Sequence, residues 1–115
     1  MKHLSIVSLV LTMLGGSVLA EKMPGSEVAG LMGQGKIEFQ AGSVWTTLPG
    51  NRYTFTHGGS AGEAGTFKIF SNGNVHILDE AKGRTIKFYF DKDDSGVPAL
   101  IYTTGSGAGK RYPIK

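Results

Sequence analysis

Residues 66–90, TFKIFSNGNVHILDEAKGRTIKFYF, hold three segments in which apolar and polar residues alternate, separated by two turn signals. The segment Phe67-Lys68-Ile69 is typical, since a lysine stands between two large apolar residues. Alternation with a period of two is the pattern of a β-strand that buries one face. The stretch therefore predicts three antiparallel strands joined by hairpins.

The turn signals fit this interpretation. Asn72-Gly73 accepts the positive φ angles of a type I′ turn, and residues 81–84 supply the next turn. Residues 91–96 predict the turn after that, and Pro49-Gly50-Asn51 closes the first hairpin.

The same alternation runs through the chain from Lys36 onward, and no segment there has a helical period. The spacing predicts a meander of six or seven short strands. Such a sheet must fold onto itself to bury one face. We therefore expect an all-β fold, a small antiparallel β-sandwich or a partly open barrel, with residues 36–115 as a single β domain.

Residues 21–35 have no convincing period. Val28, Leu31 and Met32 are spaced as on a helix, but two glycines lie among them, and each costs about 1 kcal/mol in a helix. We expect a flexible N-terminal arm or a single loose turn.

Residues 1–20 have the three-part layout of a secretory signal peptide. Lys2 precedes an apolar run over residues 4–14, and small residues stand before the expected cleavage after Ala20. The run is too short for a membrane anchor, which needs about 20 residues. We expect a secreted protein without a membrane anchor.

Composition narrows the function classes. The chain has 115 residues and no cysteine, which excludes disulfides, thiolate metal sites and a cysteine nucleophile. The formal net charge is +3, and removal of Lys2 with the signal peptide leaves +2. Because the net charge is this small, we do not expect nucleic acid as a partner. We also expect the protein to be a monomer.

Three glycine-rich or acidic segments resemble functional motifs. Gly58–Gly62 matches the G-x-S-x-G pattern of hydrolases, but a strand rather than a helix is predicted after it. Asp91–Gly96 resembles the start of a calcium loop, and Gly105–Lys110 resembles a phosphate-binding loop. Each lacks its motif's remaining residues, so turns are the simpler interpretation.

His57 and His76 are the only histidines after residue 20, and no third metal ligand lies at a useful spacing. No acid, base and nucleophile trio stands out, so we expect no metal, no cofactor and no enzymatic activity. Trp45 is interpreted as a core or rim residue. The cations Lys68, Lys82, Arg84 and Lys87 form either a basic patch or an ordinary solvated face.

The order of elements over residues 53–90 resembles the MAX effectors, small secreted proteins of plant-pathogenic fungi. The shared layout is a strand, a glycine loop, GTFKI, an Asn-Gly turn, VHIL, a charged turn and TIKFYF, after a signal peptide. The resemblance implies a sandwich of two three-stranded sheets and the binding of host proteins. The resemblance assigns a functional role to no residue of this chain.

A small sandwich has open edge strands, and an exposed edge is a template for a partner strand. Segments 54–56 and 101–104 are the predicted edges, and the basic pair Lys110-Arg111 is expected to steer an acidic partner. The candidate partner-binding residues are Thr54, Phe55, Thr56, Ile101, Thr103, Lys110 and Arg111.

These observations favour a secreted, non-enzymatic virulence effector that binds a host protein, with a proline at Phe55 or Ile101 expected to abolish capture. Two alternatives stay open. One is a bacterial periplasmic or secreted inhibitor, for example of a lytic enzyme. The other is a small secreted nucleic-acid-binding protein that stacks bases on tyrosines.

Overall fold

The computed structural model describes residues 20–58 and 62–115, in which one antiparallel sheet and one short helix form. Strands β2 to β9 pair in chain order, and β1 pairs with the end of β7. The elements are β1 (Glu21–Lys22), α1 (Gly25–Met32), β2 (Lys36–Glu38), β3 (Ser43–Leu48), β4 (Arg52–His57), β5 (Glu63–Ile69), β6 (Val75–Asp79), β7 (Arg84–Lys92), β8 (Pro98–Tyr102) and β9 (Arg111–Pro113).

The all-β prediction is confirmed, and of its two architectures the structure has the partly open barrel. The sheet curls until its two ends meet at a bridge between Phe39 and Ile114. Gln40 N donates to Pro113 O at 2.9 Å beside it. The prediction missed two strands, β1 and β9, because two or three residues are too few to show alternation.

The inner face of the curled sheet forms the core, as the alternation predicts. Trp45, 1% exposed, lies at its centre and stacks on Tyr53 with ring centroids 4.6 Å apart. The same indole packs against Phe55, Phe67 and Phe88, whose ring planes are steeply inclined to it. Each large apolar side chain buried this way contributes about 1.5–3 kcal/mol to the stability of the fold. This burial stabilises a domain that has no cysteine and therefore no disulfide.

The prediction of a flexible arm over residues 21–35 is wrong. Helix α1 buries Val28 and Met32 in the core, where they are 0% and 1% exposed. The backbone N–H of Gly25 donates to Ser71 O at 2.9 Å, which fixes the helix where β5 ends. Packing of these two side chains outweighs the helix cost of the glycines.

The Asn72-Gly73 hairpin lies where the sequence predicts, but its turn is not type I′. Only Gly73 has a positive φ, +95°, whereas type I′ needs two such residues. Gly73 N donates to Phe70 O, and Phe70 N donates to Asn74 O. Residues 71–73 therefore form a three-residue hairpin loop, in which Gly73 takes the left-handed conformation after a turn with negative φ angles.

The hairpin at residues 49–51 is confirmed, with φ +78° at Gly50 and +57° at Asn51. The predicted signal peptide lies outside the described residues apart from Ala20. Within residues 20–58 and 62–115, no helix is long and apolar enough to cross a membrane.

Candidate functional site

The polar residues on the inner face collect at one end of the half-barrel. Helix α1 packs at the opposite end, beside the loop between β5 and β6. Because adjacent strands are antiparallel, the start of one strand lies beside the end of the next, and each of seven strands contributes one residue there. We call this set the polar mouth: Ser43, His57, Glu63, Asp79, Arg84, Tyr102 and Tyr112.

Hydrogen bonds connect three strands across the polar mouth. The Ser43 hydroxyl lies 3.0 Å from His57 Nδ1, and His57 Nε2 lies 3.1 Å from Glu63 Oε2. The Tyr53 hydroxyl donates to Glu63 Oε1 at 3.3 Å. Both oxygens of the Glu63 carboxylate therefore have a partner, which a carboxylate exposed by only 9% requires.

Two carboxylates share one guanidinium in the polar mouth. Asp79 is fully buried, and Arg84 Nε lies 3.4 Å from its Oδ2. That oxygen accepts no hydrogen bond from the part of the chain that the structure describes. The Arg84 guanidinium also lies 3.9 Å from Glu63 Oε2. Counted on their own, these two carboxylates and one guanidinium sum to one negative charge.

Two cavities open from the polar mouth, and Tyr102 contacts both. The first, of about 280 Å³, is lined by Glu63, Arg84 and the glycine-rich loop after β8. The second, of about 250 Å³, is walled by aromatic rings and reaches Ser43 and His57. Aromatic walls with a few converging polar groups are typical of ligand sites.

Burial raises the pKa of Tyr53 and of Tyr102 above the ordinary value, and the negative charge of Glu63 raises both further. Both phenols therefore stay neutral at physiological pH. They present hydroxyl groups and uncharged ring faces to the polar mouth.

The glycine-rich loop after β8 forms part of the rim of the polar mouth. The segment Gly105–Lys110, compared above with a phosphate loop, is the turn between β8 and β9, and its first three residues line the larger cavity. In the segment Gly58–Gly62, residues 59–61 lie outside the described residues. Strand β5 begins directly after that segment, as predicted.

The prediction that Thr54, Phe55 and Thr56 lie on an edge strand is wrong. Strand β4 pairs with β3 on one side and with β5 on the other. Phe55 is a core residue, 2% exposed. A strand with a paired neighbour on each side is an interior strand of the sheet, so β4 is not an edge.

The second predicted edge is wrong for the same reason. Strand β8 pairs with β7 and β9, so it is an interior strand of the sheet, and Ile101 is buried, 7% exposed. Thr103 follows the strand, and its hydroxyl donates to Lys87 O at 3.2 Å. The sequence missed this because the three-residue β9 that covers β8 has no alternation of its own.

The two residues of the basic pair Lys110-Arg111 lie in different environments. The Arg111 side chain reaches across β8, and its NH2 group donates to Asp91 Oδ1 at 2.7 Å. Arg111 thus holds β9 in place through an ion pair with a nearly buried carboxylate. Lys110 is exposed in the loop before β9.

The remaining candidates also separate by face. His57 points inward and His76 outward, so they cannot share a metal ion. Within residues 20–58 and 62–115, no group of three metal-ligating side chains occurs. Of the predicted basic patch, Lys68 and Lys87 lie on the outer face and Arg84 on the inner face.

Sequence reasoning missed the polar mouth as a set. A usable signal exists, because Asp79 continues the inward positions of Val75 and Ile77 at the end of a strand. A charged residue at the next inward position marks where the apolar core stops. The closure of the sheet that brings seven such positions together has no local signal.

Comparison of the chain with protein-family models, curated protein sequences and solved structures gives no match. The resemblance to the MAX effectors stays a prediction, and the functional argument rests on the geometry of the polar mouth.

Proposed function

We propose that this chain is an exported, non-enzymatic binding protein that captures another protein by receiving a basic side chain in the polar mouth. The observation that carries the proposal is the Glu63 carboxylate, which lines the first cavity beside Tyr102 although it is only 9% exposed. Together with Asp79 it leaves a net negative charge against Arg84. Such a site favours a cation.

The aromatic walls support the same class of occupant. Tyr102 and Tyr112 pack edge to face with ring centroids 5.6 Å apart, and Tyr102 lines both cavities. A lysine or arginine head group is attracted to the face of an aromatic ring. Because drug-sized ligands occupy about 300–1,000 Å³, each cavity suits one side chain better than a large cofactor.

The leading biological role is that of a secreted virulence effector acting on a host protein, as expected from the sequence. A periplasmic or secreted inhibitor of a lytic enzyme is the alternative, and it would use the polar mouth in the same way. A nucleic-acid partner gains no support from this site, because a net negative site repels phosphate.

Selection of random peptides displayed on phage, with the protein immobilised, tests the proposal without a known partner. We expect enriched peptides to carry a lysine or arginine beside an apolar residue. Glu63→Gln should weaken their affinity about 10- to 100-fold, since a hydrogen bond to a charged group contributes about 1.5–3 kcal/mol. Isothermal titration calorimetry of the selected peptides measures the change.

Glu27→Gln is the matched control, because Glu27 is an exposed carboxylate on α1, at the opposite end of the half-barrel. Equal affinity of the enriched peptides for the Glu63 variant and the wild type would refute the proposal. A cell-wall turbidity assay with lysozyme separates the two roles, because only the inhibitor slows lysis.

A second candidate function is acyl hydrolysis, favoured by the hydrogen-bonded series Ser43, His57 and Glu63. Nucleophile, base and orienting carboxylate are within reach of one another. The imidazole is reversed relative to the serine-protease arrangement, because Nδ1 rather than Nε2 faces the serine. Labelling of Ser43 by a fluorophosphonate, lost in Ser43→Ala, would replace the binding proposal with this one.

A further inference from the structure

Three basic side chains form a row on the outer face of the sheet, away from the polar mouth. Lys68 of β5 is paired with His76 of β6, and His76 is paired with Lys87 of β7. Neighbouring strands lie about 4.8 Å apart, so the row spans about 10 Å. We call these three residues the basic row.

The lysines of the basic row are not neutralised by the protein. Within the described residues, no carboxylate lies within ion-pair distance of Lys68 or Lys87, although Arg52, Arg84 and Arg111 each have at least one. The Lys68 ammonium lies 5.0 Å from the centroid of the Phe70 ring.

A third lysine, Lys22, lies close to the basic row. The Lys22 ammonium donates to Asn74 Oδ1 at 2.6 Å and lies 5.2 Å from the centroid of the Tyr89 ring. Tyr89 shares the outer face of β7 with Lys87. This part of the sheet is therefore strongly positive although the whole chain carries little net charge.

An exposed apolar side chain lies directly beside the basic row. Leu78 is 42% exposed and follows His76 on the same face of β6. Its neighbours on β5 and β7 are Thr66 and Thr85, which are uncharged. The face thus combines lysines that have no carboxylate partner with an apolar side chain that stays 42% exposed.

We propose that the outer face of β5, β6 and β7 docks on an anionic phospholipid surface. The lysines contact headgroup phosphates, and Leu78 enters the boundary between headgroups and acyl chains. Leu78 favours a lipid surface over nucleic acid as the partner, because the phosphate backbone of a nucleic acid offers this side chain no apolar contact. The proposal does not depend on the polar mouth.

His76 makes this docking sensitive to pH. Partial burial lowers its pKa, and the charges of Lys87 and Lys68 lower it further. These lysines are the charged groups that face it from β5 and β7, and the Phe70 ring contacts it at 4.5 Å. Headgroup phosphates offset the repulsion, so docking strengthens as the pH falls and His76 gains its proton.

Vesicle flotation tests the proposal with the protein recovered from the exported fraction. The vesicles contain phosphatidylglycerol and phosphatidylcholine at 30:70, or phosphatidylcholine alone. Each lysine near an anionic surface contributes about a fivefold gain in affinity, so Lys68→Gln with Lys87→Gln should weaken binding about 25-fold. Leu78→Gln should weaken binding without changing its dependence on salt.

Lys82→Gln with Lys110→Gln is the matched control, because both lysines are exposed in turns and the change in net charge is the same. All variants share the same N-terminal segment, so its contribution cancels. We expect the control to bind nearly as the wild type does, and His76→Asn to remove the gain at low pH.

An equal loss of vesicle binding in the Lys68/Lys87 variant and in the control variant would overturn the proposal. Two further results would also overturn it. One is wild-type binding that does not distinguish the two vesicle compositions. The other is a loss of duplex DNA binding in the Lys68 and Lys87 variant while vesicle binding is unchanged, which would assign the face to nucleic acid.

Discussion

At the scale of single residues, Gly65 shows how closely the strands beside the polar mouth approach. It pairs with Tyr53 on β4 and with Asp79 on β6. A Cβ atom at this position would overlap the carbonyl oxygen of Leu78. Only glycine lets β5 and β6 come together here, directly beside the inward-facing Asp79.

We expect Gly65→Ala to destabilise the protein by about 1–3 kcal/mol, because the added methyl group forces the two backbones apart. Urea denaturation followed by tryptophan fluorescence measures the loss. Gly30→Ala is the matched control, since a Cβ there meets nothing within 4 Å. Its position in α1 predicts a gain of up to about 1 kcal/mol. Equal stability of the two variants would contradict the role assigned to Gly65.

At the scale of elements, helix α1 belongs to the core. Its first residue contacts the loop between β5 and β6, and Val28 and Met32 pack with the aromatic side chains of the half-barrel. An isolated eight-residue helix is unstable in water. The tertiary contacts of these two side chains therefore hold the helix together.

Met32→Ala should destabilise the whole domain by about 2–5 kcal/mol, as expected for a buried side chain that leaves a cavity. Thermal unfolding measured by circular dichroism reports the change. Ser26→Ala, at an exposed position of the same helix, should change stability by less than about 0.5 kcal/mol. If both variants behaved alike, residues 21–35 would be the flexible arm that the sequence alone predicts.

At the scale of the whole molecule, the interior has two different ends. The end beside helix α1 is apolar, and the polar mouth holds the titratable side chains. The pKa values of Tyr53 and Tyr102 are raised by burial and by Glu63. Unfolded tyrosine ionises near pH 10, whereas these two remain neutral in the fold. Their contribution to stability is therefore fully present below pH 10 and is lost as the pH rises further.

We expect the free energy of unfolding to fall above pH 10 by up to about 1.4 kcal/mol per pH unit for each of the two tyrosines. Urea denaturation between pH 8 and pH 11.5 measures the slope, and absorbance of the tyrosinate reports ionisation. Tyr53→Phe should remove the contribution of one tyrosine. A slope unchanged by this substitution would show that Tyr53 ionises normally in the fold.

Local sequence determined much of this protein. The alternation around Lys68 placed the strands, and the turn residues at Pro49-Gly50-Asn51 and Asn72-Gly73 placed hairpins, because strand period and turn conformation depend on residues close in the chain. The large apolar side chain of Trp45 was enough to place it in or beside the core. The absence of cysteine required a core held by apolar burial.

Tertiary structure decided the rest. Which strands are edges depended on β9 covering β8 and on the bridge between Phe39 and Ile114, and these contacts join residues far apart in the chain. The same closure collected one polar residue from each of seven strands into the polar mouth. No local pattern carries this information, because a strand's own period fixes which face a side chain takes but not which distant strand lies opposite it.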